Sequence, residues 1–290
     1  MVTPQGAVTG EDLVCRALRG PAIAAGVGKL CFERMGGRTV LTRMFATSPL
    51  KLLNPNAAGR AAWACLATYG GGLVSGDALQ IDLETGPGAA ALVTTQASTK
   101  VYRSEAGASQ RLHARAAAES VLVLLPDPVT CFAGASYEQD QQVLLDASAT
   151  LVLVDWLTAG RVESGERWRF NTYSSRLKIW RHDRLILHDA LRLAPEDGEL
   201  ARRMDRFNCL ASVVLVGPAV RAGAARLAGV IGSAPVSRRS PLLLSAAPID
   251  GEGLLVRVAG PSVEQVGAVL RQHLGFVSSL LGDDPWSCRW

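Results

Sequence analysis

Between Lys29 and Leu193 the chain is a succession of short β-branched and aromatic runs, broken by turn residues about every ten positions. The stretch KLCFERMGGRTVLTRMFATSPL, from Lys29 to Leu50, reads as two strands around Gly36-Gly37, a pair suited to the positive φ of a tight turn. Ala89–Thr95 is an apolar run ending in threonines, and Ser120–Leu125 is stopped by Pro126-Asp-Pro128. Gln142–Leu145 and Leu151–Trp156 flank Asp146-Ala-Ser148, and Arg176–Trp180 and Leu185–His188 flank His182-Asp183. Helices do not alternate with these strands, so the rhythm of a nucleotide-binding α/β fold is absent. A mainly β fold class follows, with a sheet-rich body over about residues 28–193.

The C-terminal third changes character. Residues 195–207 (PEDGELARRMDRF) place acids before arginines, the order a helix dipole favours, and Ala211–Val216 returns to strand-like residues. The clearest helix spans about 262–281. Ser262 can cap it, with Gln265 three positions on, and Val263, Val266, Leu270, Leu274, Val277 and Leu281 make one apolar face before Gly282. That face either packs on the core or meets a partner helix-in-groove.

Composition narrows the function classes. Apolar residues make up 48% and charged residues only 19%, with a formal charge of +4 dispersed along the chain, so nucleic acid is not the expected partner. The six cysteines include no C-x-x-C pair, and no apolar run is long enough to span a bilayer. The opening residues lack a basic-then-apolar leader. The expectation is a reduced, cytoplasmic chain with an N-terminal segment over 1–27 and a single domain over 28–290.

Two segments carry candidate chemistry. In YGGGLVSGD, from Tyr69 to Asp77, Gly71 and Gly76 have phosphate-loop spacing, but Asp77 stands where the lysine should be and would repel a phosphate. The dinucleotide fingerprint also fails, because Ser75 occupies the third glycine position. No nucleotide is expected. Gly70, Gly71, Gly72 and Gly76 then mark either a tight bend or a bend that sets Asp77 and Ser75 on a polar cavity. Farther on, Arg161, Glu163, Glu166 and Arg167 crowd around Gly160 and Gly165. They make a solvated turn, a hard-cation passage, or the acid and base of a hydrolase, although three residues of loop do not fix a carboxylate separation. Cys131 reads as a small buried hydrophobe.

Taken together, Ser48–Pro55 (SPLKLLNP), Gly70–Asp77 (GGGLVSGD), Thr94–Arg103 (TTQASTKVYR), Leu125–Tyr137 (LPDPVTCFAGASY) and Asp155–Arg161 (DWLTAGR) with Ser164-Gly-Glu166 resemble the urease accessory proteins of the UreD type, called UreH in some bacteria. The resemblance implies a helically wound, stacked β-sheet domain with a few helices, and a scaffold in place of an enzyme. The implied partners are a UreF-type protein, through it a UreG-type GTPase, and urease apoprotein, to whose active site nickel is delivered. No cofactor is implied beyond nickel in transit along an internal polar passage. Asp77 and Glu166 fall on motif positions and are the first passage candidates, with Ser75 and Glu163 beside them. Gly70, Gly71, Gly72, Gly76, Arg161 and Gly165 are the structural positions, and Thr95, Lys100 and Arg103 organise the fold or the passage wall. Val266, Leu270, Leu274 and Val277 are the partner-binding candidates. A β-rich hydrolase using the loop carboxylates, or a small-ligand or carbohydrate-binding module, is the alternative.

Overall fold

The computed structural model describes residues 26–251 and 253–287, and in it two kinds of strand go to two different sheets. A run that is apolar at every position, such as Val121–Leu125, has two faces to bury; one that alternates, such as Thr172–Arg181, has one. The continuous runs accordingly form an inner sheet, covered by the outer sheet on one side and by helices on the other. The alternating runs form the outer sheet, with one face to solvent.

Strands β1 (Gly26–Met35) and β2 (Arg38–Ala46) make the expected hairpin, with φ of 55° and 86° at Gly36 and Gly37. Thus β1 begins at the end of the expected N-terminal segment, whose first 25 residues lie outside the described ones. Next, β3 (Leu50–Leu53) pairs with β4 (Ala62–Thr68), and the chain then winds between the sheets. The first turn runs from β4 to β5 (Ala78–Thr85). The second passes from β6 (Ala90–Thr95) through β7 (Thr99–Val101) to β8 (Ala108–Ala116). The third passes from β9 (Val121–Leu125) through β10 (Val129–Cys131) to β11 (Ser136–Leu145), and the fourth from β12 (Thr150–Thr158) to β13 (Thr172–Arg181).

Successive turns pair in parallel. Ala62 faces Ala91, Ala90 faces Val121 and Val121 faces Thr150, separations of 29, 31 and 29 residues. The sequence shows no repeat because strand pairing constrains only the length of a turn and its buried positions. Each crossover is a strand of the other sheet, which is how parallel pairing arises here without βαβ units. The Asp146–Ser148 turn is therefore a corner between sheets, with the Ser148 amide and hydroxyl both donating to Asp146 Oδ1. The His182-Asp183 turn is a true hairpin joining β13 to β14 (Arg184–Leu193).

The outer sheet has the order β14-β13-β11-β8-β5-β1-β2. The inner sheet is extended by β15 (Cys209–Val216), β16 (Leu243–Ile249) and β17 (Gly253–Gly260), in the order β16-β17-β15-β12-β9-β6-β4-β3. One core lies between the sheets, with Leu30, Phe32, Ile81, Leu122 and Leu153. A second lies on the far face of the inner sheet, where Trp63, Val123, Val154 and Val213 meet the helices.

The helical expectations are modified in two places. Residues 195–207 give a 3-10 turn at Pro195–Asp197 and one helical turn, α1 (Leu200–Arg203), because Gly198 at φ 114° interrupts them. The 262–281 helix is divided into α3 (Val263–Leu274) and α4 (Val277–Leu281), after α2 (Arg221–Ser233), which the glycine-spaced sequence RAGAARLAGVIGS does not announce. Phe276 at the division packs on α2, so closely that a Cβ on Gly223 would come within 2.8 Å of its ring. Ser262 is the cap, its hydroxyl accepting from Gln265 N–H at 3.3 Å, a contribution of about 1 kcal/mol. Among the described residues no helix is long and apolar enough to cross a membrane.

Candidate functional site

The winding brings sequence-distant loops side by side. Each passage from the inner to the outer sheet uses one of four loops: 69–77, 96–107, 126–135 and 159–171. Four of the five motif segments contribute to this single stack. Leu73 bridges Val101 in parallel, Val101 pairs with Cys131, and Thr130 pairs with Thr158, so the loops continue the coil along a narrow third side.

The glycines of GGGLVSGD serve the backbone. Gly70, Gly71 and Gly76 have φ of 79°, 71° and 86°, the left-handed region that side chains disfavour. Gly72 is needed for a different reason, since a Cβ there would lie 2.6 Å from the Tyr102 ring and 2.7 Å from Lys100 O. Asp77 closes the tip, its Oδ2 accepting from Val74 N–H at 2.8 Å, and Ser75 Oγ accepts from Ala106 N–H of the next loop at 3.1 Å.

Glu166 plays the matching part at the other end of the stack. Its carboxylate accepts from both Arg161 Nε and Nη2 and, through Oε2, from Ala133 N–H at 3.1 Å. Arg161 in turn lies over the Phe132 ring at 4.3 Å, and Phe132 meets Tyr102 edge-on at 5.2 Å. The Arg161 bond first, and the Ala133 bond second, hold the Glu166 pKa below its ordinary value. Gly165, at φ 75°, ends the intervening 3-10 turn, and Glu163 on that turn is exposed. Asp77 and Glu166 are three strand spacings apart along the coil, about 14 Å, so they do not form one site. Thr95 is a fold organiser, exchanging hydrogen bonds with Asp127 of the adjacent loop.

A second polar group lies between the sheets. Asp155 sits on the inward face of β12 among Leu151, Leu153 and Leu157, where its Oδ1 accepts from Gln139 Nε2 at 3.1 Å and its Oδ2 from Ser175 Oγ at 2.6 Å. Gln139 Oε1 also accepts from Tyr137 OH at 3.3 Å. Enclosure by the two sheets is the main cause that pushes the Asp155 pKa up, partly offset by the Ser175 and Gln139 bonds and reinforced by nearby Asp189. The same enclosure raises Tyr137 and Tyr173 and pushes the Cys131 thiol up to about 12, which leaves that cysteine unreactive. Asp155 nonetheless retains accessible surface. Sequence reasoning passed over it because it opened a motif as one residue of a strand. The available signal was a carboxylate at an inward position of an otherwise apolar run.

The partner-binding candidates lie elsewhere. Val266, Leu270, Leu274 and Val277 are at most 2% exposed and pack into the helix-side core, so the protein's own sheet covers that face. No group of three or more His, Cys, Asp or Glu side chains with metal-holding geometry occurs among the described residues.

Comparison with known proteins gives the chain its family. Over 266 residues the chain is 52% identical to a urease accessory protein UreD of Sorangium cellulosum, covering 92% of this chain and 85% of that protein. It is 43% identical to a urease accessory protein UreD of an Anaeromyxobacter species, with 91% and 90% covered. It is 37% identical to a urease accessory protein D of Oryza sativa subsp. indica, with 91% and 96% covered. The UreD urease accessory protein family profile matches residues 24–290, and the chain therefore belongs to that family, with a role in urease maturation.

Proposed function

We propose that this chain is a non-catalytic scaffold that joins a UreF-type protein, and through it a UreG-type GTPase, to urease apoprotein, and that nickel crosses its interior on the way to the urease site. The observation that carries the passage reading is the Asp155–Gln139–Ser175 group, a hydrogen-bonded carboxylate held between two sheets. A buried carboxylate disfavours its charged form unless a cation or donor stabilises it. One carboxylate beside a hydroxyl and a neutral carboxamide is also a hard, weak ligand set for nickel, which prefers imidazole and thiolate, so it suits an ion that must move on. Asp77 and Glu166 support the passage from outside it, by fixing the ends of the loop stack.

Two experiments test this reading. Co-expression with a tagged UreF-type protein from the same organism, sized by light scattering, should give a defined complex; a chain that ignores this partner overturns the scaffold. Urease activation with Asp155→Asn should fall while that complex still forms; normal activation overturns the passage.

A further inference from the structure

On β12, β15, β17 and β16 the inward face of the inner sheet is polar along one row only. Across its last four strands, Asp155 of β12 stands opposite Ser212 of β15, Ser212 opposite Arg257 of β17, and Arg257 opposite Ser245 of β16. Neighbouring inward positions are leucines and valines, among them Leu153, Leu157, Val214 and Val216. Exposure rises along the row, from the partly covered Asp155 and Ser212 to the exposed Arg257 and Ser245. The row therefore leads from the end of the coil to the half-buried carboxylate.

Arg257 stands across this row. Its Nη1 donates to Ser212 Oγ at 3.3 Å, and its Nη2 donates to Asp189 Oδ1 at 2.5 Å. Asp189 belongs to β14 of the opposite sheet, opposite the buried Leu177. Its side chain is 15% exposed while that of Arg257 is 47% exposed, so the pair reaches from the interior to solvent. Beyond β13 the chain crosses between the sheets once more, from β14 to β15 through residues 194–208. The facing strands β14 and β17 are tied by this pair, and Arg184 of β14 pairs with Asp250 in the β16–β17 turn.

We propose that Arg257 and Asp189 form a latch across the mouth of a polar path from the β14–β17 seam to Asp155, and that a divalent cation passes only when the guanidinium swings out. While closed, the latch places a fixed positive charge in the entrance and occupies Asp189. When open, it removes that charge and frees a second carboxylate along the path. This inference rests on the passage reading above.

The latch is tested without urease or nickel. A water-soluble carbodiimide with glycinamide is applied to clarified lysate containing the full chain, and amidation of Asp155 is read on its peptide by mass spectrometry. Arg257→Gln and Asp189→Asn should each raise Asp155 labelling about tenfold, the population shift expected when a charge-assisted hydrogen bond is lost. Arg257→Lys, which keeps a cation for Asp189, should label as the unaltered chain does. Arg257→Met preserves the apolar stem and serves as a second open-latch variant. Equal labelling of Asp155 in the unaltered chain and in the open-latch variants overturns the latch. Normal urease activation by Asp155→Asn would overturn the passage reading instead, whatever the labelling shows.

Discussion

Asp155 and Glu166 lie on one strand–loop unit, yet their surroundings push them in opposite directions. Glu166, at the loop stack, is held in its charged form by Arg161 and the Ala133 amide. Asp155, between the sheets, is pushed toward its neutral form by desolvation. The stack uses its polar groups to fix backbone, whereas the interior holds a carboxylate at a cost to the fold. A group kept against stability is the better candidate for a task other than folding.

The largest expected effect is at the stack's backbone. Gly72→Val drives a side chain into Tyr102 and the Lys100 carbonyl, and should cost about 3 kcal/mol and most of the soluble yield. Soluble yield and thermal melting check it, and a fully stable variant would mean the loops are not tightly stacked.

Next is the interior carboxylate. Asp155→Asn should slow urease activation about tenfold, or about 1.4 kcal/mol on the transfer barrier, while Tm stays the same or rises. The pH sign agrees: because the folded pKa is raised, the unaltered chain loses stability as pH rises from 3.8 through the folded value, and the variant should lack that slope.

Glu166→Gln should behave in the opposite way. It should lower Tm by about a few degrees at neutral pH. Its folded pKa is depressed, so the contribution is present above 4.5 and disappears as pH falls through the folded value. Melting curves at several pH values check both slopes, and slopes of the same sign would break the comparison. The smallest effect belongs to Asp77→Asn, since an amide oxygen can still accept from Val74 N–H; a change of about 0.5 kcal/mol is expected by denaturant titration.

The contrast also explains what was legible in the sequence. The bend at Gly70, Gly71, Gly72 and Gly76 was visible because tight backbone geometry demands particular residues; the stacking of that loop on its neighbours, and the part of Asp77 in closing its tip, were not. The hairpin at Gly36-Gly37 was visible for the same reason. Asp155 was hidden because an enclosed polar residue leaves no periodic trace, and its partners lie far off in sequence, Gln139 in the preceding turn of the coil and Ser175 on the opposite strand of its own. The polar row of Ser212 and Arg257 was hidden too, since register between distant strands is set by the folded sheets. Helix α2 was missed because its glycines weaken the apolar pattern that announced α3.

The seam that carries Arg257 and Asp189 differs mechanically from the rest of the coil. Through the four turns, the chain itself crosses between the sheets, like pages sewn along a spine. Past β13 the chain crosses once more, through the longer segment 194–208, and the facing strands β14 and β17 are otherwise held by side chains, with both ion pairs there partly solvated. Local opening should therefore begin at that end and fade toward the spine. In hydrogen exchange, amides of β14 and β16 should become deuterated well before those of β9 and β12, setting an order of release that runs inward along the coil.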